Sequence, residues 1–378
     1  MLVVRKIFSM VLVMAMLFTL SGCGGTEAGN SNTTPGEVPT LAVAYGNDLH
    51  TCLLNVAMSD MAAFADKAAR INPVSESQFE LLQDDQVIAK FNVITGKSGA
   101  ECATMMGQGH LDITFSSNTA MLSAYDVGTD VKILSPLQSG GVSMVMGPEN
   151  DFYGFDAIKK YIEDSPTPVK VGYHSVISGP RILIESILND AGFKLTEDPG
   201  DTTADVLMVD LKGAQNLLPS IRSGAVDAWV GPSPNPENAE KNDMGKIVMR
   251  LDDFPPQGKW TNFPCCVMAA TTEVVENHPE VIEALVSVVV DCIHYGNDNR
   301  EKFAEINSAK IGVEKDVILA NNIIYTSDPS QEWLDGIEIY FNAIQAMNKF
   351  TDRLKDADYE TVKKEVFDFS FVEKANSR

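Results

Sequence analysis

From residue 41 onward, short runs rich in β-branched and aliphatic residues take turns with longer stretches of helical periodicity, and this alternation most limits the folds open to the chain. Strands and helices that alternate bury their apolar faces best as layers, with helices packed on largely parallel sheets, so the expected class is α/β. The spacing predicts strands at 40–45, 89–94, 112–115, 132–135, 143–147, 170–173, 206–209, 225–230 and 267–270. Helices are expected at 49–69, 99–107, 181–191, 214–220 and 279–295. In the last of these Val281, Ala284, Leu285, Val288, Val289 and Cys292 recur at helical spacing, an apolar stripe that belongs to a core. A length of 378 residues gives room for two domains. With 44% hydrophobic and 21% charged residues the composition is globular, which excludes wholesale disorder and a multi-span membrane protein.

Arg5 and Lys6 precede an apolar run from Ile7 to Leu20, broken only by Ser9 and Thr19. Its fourteen residues fall short of the roughly eighteen needed to span a bilayer. A buried core helix is the alternative, but basic residues ahead of the run and small ones behind it mark an export signal. The run ends in Leu20-Ser21-Gly22-Cys23, which resembles the bacterial lipobox; that resemblance implies cleavage after residue 22 and lipidation of the Cys23 thiol. Residues 1–22 then form a lipoprotein signal peptide, and residues 23–39, rich in Gly, Ser, Thr and Asn, a flexible tether. More than one acyl chain holds a protein stably at a membrane surface, so the expected location is the extracytoplasmic face of a bacterial cell membrane. A net charge of −23 repels phosphate backbones, which excludes nucleic acid as a partner.

The sequence offers little for catalysis. Histidines at 50, 110, 174, 278 and 294 are scattered, with no H-E-x-x-H and no Cys/His spacing of a zinc centre. Beyond Cys23, cysteines stand at 52, 102, 265, 266 and 292, an odd number that argues against a complete disulfide framework. Cys52, Cys102 and Cys292 fall on apolar helical faces, where cysteine acts as a small hydrophobe. The vicinal Cys265-Cys266 pair lacks a second Cys pair or a neighbouring histidine, so no metal and no cofactor are expected. Thr95-Gly96-Lys97-Ser98 ends like a phosphate-binding loop, but Phe91 stands where the earlier glycine is required. No G-x-S-x-G occurs, which disfavours a serine hydrolase of the nucleophile-elbow type.

An internal echo links residues 106–113, MGQGHLDI, with residues 221–228, IRSGAVDA. Each pairs a helix end, a glycine stop and an aspartate at a strand's start; the glycine suits a left-handed turn and the aspartate can tie that turn to neighbouring amides. Polar turns follow both strands, Ser116-Ser117-Asn118 in one copy and Gly231-Pro232-Ser233 in the other. Together with the lipobox, the Ser139-Gly140-Gly141 turn, the loop from Gly172 to Ser178, the SGAVDAW strand and the run PCCVMAATTEVVENHPEVIEAL, this order resembles the nitrate, taurine and aliphatic-sulfonate branch of the ABC-transporter solute-binding proteins. The resemblance covers residues 41 to about 350. It implies a periplasmic-binding-protein-like fold of two Rossmann-like lobes joined by a two-crossing hinge, with lobe I at 40–138 plus 262–378 and lobe II at 139–261. It also implies a small-molecule solute as ligand, ABC permease and ATPase subunits as partners, and no catalysis. The residues after Pro329 are expected as helices packed on lobe I. A ligand-sensing module is the alternative function, and a thiamine-pyrimidine-synthesis-like enzyme of related fold a more distant one.

In such a fold the ligand end is the carboxyl edge of the strands, where loops lead into helix N-termini. Five loops follow. Tyr45, Gly46 and Asn47 come after the first strand, and Ser116, Ser117 and Asn118 precede a helix, where they can contact a ligand or merely cap. Ser139, Gly140 and Gly141 lie at the implied first crossing, as close approach to a ligand or as hinge. His174, Ser175, Ser178 and Gly179 lead into a helix whose Pro180 suits its first turn, making an anion cradle that Arg181 can reinforce. Trp229 can form an apolar wall or pack in the core. On the family pattern Cys265 stands at the second crossing, beside the crevice.

Overall fold

The computed structural model describes residues 38–46 and 48–378. The signal peptide, Cys23, most of the tether and Asn47 lie outside the described residues. Strands run β1 Thr40–Ala44, β2 Ala69–Ser75, β3 Gln78–Gln83, β4 Gln86–Ile94, β5 Ile113–Ser117, β6 Val131–Pro136, β7 Gln138–Ser139 and β8 Val142–Met146. They continue as β9 Val169–Tyr173, β10 Leu195–Thr196, β11 Val206–Asp210, β12 Ala228–Pro232, β13 Lys246–Arg250, β14 Cys266–Thr271 and β15 Ile324–Tyr325.

Two sheets result. The first orders its strands β2-β3-β4-β1-β5-β14-β6, and the second β10-β11-β9-β12-β8-β13. In the first, β1 lies parallel to β4 and β5, while β14 enters antiparallel between β5 and β6. In the second, β9 lies parallel to β11 and β12, and β8 enters antiparallel between β12 and β13. The expected α/β fold of two lobes and two crossings is present. The chain leaves the first sheet after Pro136 and returns to it at Cys266, and the crossings run side by side. Leu137 N–H donates to the Cys266 carbonyl at 3.0 Å, Cys265 N–H to Gln138 at 3.3 Å, and Gly140 N–H to Phe263 at 3.0 Å.

The internal echo is structural. Gly109 and Gly224 take φ of +70° and +71°, the left-handed conformation that stops each helix. Asp112 then accepts the Ala42 N–H at 2.6 Å, and Asp227 accepts the Lys170 N–H at 2.8 Å. Each carboxylate therefore staples its strand to the parallel neighbour in its own sheet. Packing joins the halves: one buried cluster runs from Ile133 and Val267 in the first sheet through Tyr340 to Val171 and Val230 in the second. A separate cluster, with Leu53, Leu81 and Leu285, fills the far side of the first sheet, each such side chain contributing about 1.5–3 kcal/mol of burial.

Two expectations need correction. Residues 49–69 do not form one helix: a helix covers Leu54–Ser59, a 3-10 turn Met61–Phe64, and β2 begins at Ala69. Asp60 leaves the helical region at φ −118°, ψ 61°, and the apolar periodicity is spent instead on irregular backbone whose Leu49, Cys52, Leu53 and Phe64 all reach the core. The C-terminal helices do not pack on the first sheet alone. In helix Gln331–Ala346, Tyr340 stands so close to Gly179 that a Cβ there would lie 2.9 Å from the phenol oxygen, and Lys349 meets Glu185 at 3.6 Å. Farther on, Phe367 bridges Ile133 of β6, and Asp368 N–H donates to the Ile133 carbonyl at 2.9 Å.

Candidate functional site

The carboxyl ends of the two sheets face each other across the crossings, and their loops touch. Leu49 N–H donates to the Ser233 carbonyl at 3.3 Å, and Ser233 N–H to the Gly141 carbonyl at 2.8 Å. Thr119 Oγ1 donates to the Ile177 carbonyl at 2.7 Å. These bonds describe lobes drawn together over their ligand ends.

Several polar atoms are buried at this junction without a protein partner: Ser116 Oγ, Asn118 Oδ1, Gln138 Oε1, His174 Nδ1 and the Tyr340 hydroxyl. Leaving such a group unmet costs about 1–3 kcal/mol each, which makes this junction the candidate ligand site. Asn118 is informative about polarity. Its Nδ2 donates to the Cys265 carbonyl at 2.7 Å, which turns its amide oxygen outward as an acceptor. Burial lowers the His174 pKa to about 4, against the pull of Asp48, so this ring is neutral.

The crossings also assemble a cluster that sequence spacing hides. His50 Nε2 donates to the Gly141 carbonyl at 2.9 Å, while Nδ1 lies 3.3 Å from Cys265 Sγ. The Gln138 amide stands 2.5 Å from the same Nδ1, and Cys265 Sγ lies 3.8 Å from Cys266 Sγ. A hydrogen bond from Cys266 pulls the Cys265 thiol well below its ordinary value against the cost of burial, with His50 helping. Burial alone lowers the His50 pKa, but the Cys265 charge overcomes it and raises it to about 9. The three donor atoms of His50, Cys265 and Cys266 all lie within 4.8 Å of one another, and all three residues are buried. The sequence reading expected no metal because no histidine neighbours the cysteine pair; folding supplies one from 215 residues away.

The other expected residues divide. Tyr45 is buried against Phe115 at 6.3 Å between ring centroids, and burial pushes its pKa up to about 12. Gly46 gives its N–H to Thr51 Oγ1 at 2.9 Å. Ser117 is an N-cap, accepting from Ala120 N–H at 3.3 Å. Ser139 pairs its backbone with Ile324 and Pro264, and Gly140 and Gly141 take φ of +74° and +72°. Ser178 spends its hydroxyl on the Ser175 carbonyl at 2.8 Å, just before Gly179 opens the helix Gly179–Asp190.

Two assignments are corrected. Arg181 is no ligand anchor: it is buried, bound to Glu185 at 3.2 Å, to Glu197 and to the Val176 carbonyl at 2.9 Å, and it lies 4.5 Å over the Tyr173 ring. Trp229 is no crevice wall, because strand alternation sends it into a small core with Val145, Leu217, Val226, Ala239 and Ile247. His50, Gln138 and Tyr340 escaped the sequence reading, whereas Cys266 stood in it beside Cys265. Only His50 carried a signal, standing in the same loop as Tyr45. A cavity of about 920 Å³ lies elsewhere, lined by Thr104, Asp130, Glu273 and Glu276 among others, and none of the buried unpartnered polar atoms belongs to its lining.

Paired α/β sheets of like order, two adjacent crossings and polar groups gathered where the sheets meet define the periplasmic-binding-protein fold, the fold of ABC-import solute-binding proteins. The chain belongs to the NMT1-like family, which it matches over residues 35–309. It is similar to the periplasmic nitrate-binding protein NrtA from Synechocystis PCC 6803 at a TM-score of 0.67 and 14% identity, covering 90% of this chain and 89% of that one. A zinc-bound ligand-binding component of an ABC-type import system from Staphylococcus aureus gives a TM-score of 0.67 at 12% identity, covering 89% and 99%. The alkanesulfonate-binding protein SsuA from Xanthomonas axonopodis pv. citri, bound to MOPS, gives 0.61 at 10% identity, covering 83% and 94%. At such identities the likeness is one of fold. Among the described residues no helix is long and apolar enough to cross a membrane.

Proposed function

We propose that this chain is an extracytoplasmic, lipid-anchored solute-binding protein that closes two lobes, 40–138 plus 262–378 and 139–261, over one small solute and presents it to an ABC permease. The observation that carries this reading is the set of buried, unpartnered polar atoms at the junction of the two sheets. No bond is made or broken; closure about the crossings buries the solute. The site's polarity narrows the solute. Asn118 presents its amide oxygen, and Arg181 is spent internally, so a solute carrying N–H or O–H donors, such as a taurine-like amine, fits better than bare nitrate.

A thermal-shift screen of nitrate, sulfonates, taurine, other amino-bearing acids and pyrimidines tests this. A ligand at a hundred times its Kd should stabilise the protein by about 2.7 kcal/mol. Asn118→Ala should weaken that ligand about tenfold, the worth of one buried hydrogen bond. If no solute shifts the melt, or if Asn118→Ala binds as tightly as wild type, the site is wrong. The anchor is tested separately: Cys23→Ser should abolish palmitate labelling and release the chain from the membrane fraction, and unchanged labelling would refute lipidation at Cys23.

A further inference from the structure

The hinge holds chemistry that solute capture does not require. We propose that His50, Cys265 and Cys266 form a binding site for one thiophilic d10 cation, zinc(II) foremost, set between the two crossings.

Two of the three donor separations match such an ion, and the third, Cys266 Sγ to the His50 ring nitrogen, lies within 4.8 Å. Tetrahedral zinc has bonds of about 2.3 Å to sulfur and 2.0–2.1 Å to nitrogen, which place two sulfurs about 3.8 Å apart and sulfur and nitrogen about 3.5 Å apart. Cys265 and Cys266 hold their sulfurs 3.8 Å apart, and Cys265 Sγ lies 3.3 Å from His50 Nδ1. A collinear S–metal–S centre would need sulfurs about 4.6 Å apart, twice the bond length, so the spacing selects a tetrahedral ion.

The surroundings agree. His50 donates Nε2–H to the Gly141 carbonyl at 2.9 Å, the kind of outer bond that fixes a ligating imidazole with Nδ1 forward. Gly141 is free of a side chain where the ring passes: a Cβ there would lie 2.8 Å from Nε2. Independently, Gln138 is fully buried, its amide abuts Nδ1 at 2.5 Å, and its Oε1 has no protein partner. Turning that amide over would bring the oxygen toward the ion as a fourth donor. Soft sulfur and imidazole favour zinc over hard cations such as magnesium or calcium. Binding expels the protons that the thiols and the imidazole carry, so affinity falls in acid. The ion would join the loop after β1 to both crossings, and its binding does not depend on which solute the lobes take.

The test uses the full-length chain in detergent, reduced and stripped with a chelator, then titrated with cobalt(II) as a coloured stand-in for zinc. One equivalent should bind with thiolate-to-cobalt charge transfer and tetrahedral ligand-field bands, and zinc should bleach both. Cys265→Ser and Cys266→Ser should each lose about tenfold or more in affinity along with charge-transfer intensity. Cys102→Ser should change neither. Absence of a stoichiometric thiolate band, or its survival in both hinge variants, overturns the site. Should a variant fail to fold, alkylation of the wild-type chain decides: zinc must protect Cys265 and Cys266, mapped by mass spectrometry, and unprotected thiols refute the proposal. Solute binding by a chain that binds no metal would leave the functional reading standing and sink only this one.

Discussion

Gly141→Ala should cost about 2–5 kcal/mol of folding stability, measured as a fall in the urea midpoint with unchanged slope. Two effects add. A φ of +72° burdens any residue with a Cβ by about 1–2 kcal/mol. The added methyl would also sit 2.4 Å from Ile323 Cγ1 and 2.8 Å from His50 Nε2, and overpacking of that kind costs about 1–3 kcal/mol. Gly109 separates the two, because its φ is +70° and a Cβ there meets nothing within 4 Å. Gly109→Ala should therefore show the backbone cost alone. If the two alanine variants are equally stable, the crowding at the first crossing is not real.

Arg181→Ala should destabilise the protein by about 2–4 kcal/mol while leaving solute affinity within twofold of wild type. The guanidinium is 3% exposed and satisfies Glu185, Glu197 and the Val176 carbonyl at once, so its loss strands a half-buried carboxylate and uncovers Tyr173. The figure sits below the full cost of breaking a buried pair, because Glu197 is 57% exposed and Lys349 still reaches Glu185 at 3.6 Å. Chemical denaturation and calorimetric titration with an anionic solute separate the roles. A collapse of binding with stability intact would restore Arg181 to the ligand site.

Much of the scaffold was legible because it is written in local patterns. The strands of both sheet centres, β1, β4, β5, β9, β11, β12 and β14, are short apolar runs bounded by turn residues, and each lies where periodicity placed it. The β2–β3 hairpin was not legible. Its polar, edge-lying sequence lacks clean alternation, and the Asp84-Asp85 turn into β4 takes φ of +49° and +66° from residues that do not advertise it. The site was legible only in part, since loops can be placed from sequence but side-chain direction cannot. Trp229 and Val230 are neighbours, yet one faces the Leu217 cluster and the other the shared core. Arg181 looked idle because its partners Glu197 and Tyr173 stand on other elements. His50 and Cys265 meet only because the chain returns to its first sheet after building the second.

The margins of the first sheet bear on how the molecule meets others. On one flank the outermost strand, β2, carries Pro73, which has no N–H to offer, and on the other Phe367 and Asp368 interrupt the edge of β6 at Ile133. An extended peptide or a sister molecule thus finds no continuous ladder to zip onto. Recognition by another protein must then proceed through side chains and loop surfaces, and crowding many copies together should not seed fibrils from this sheet.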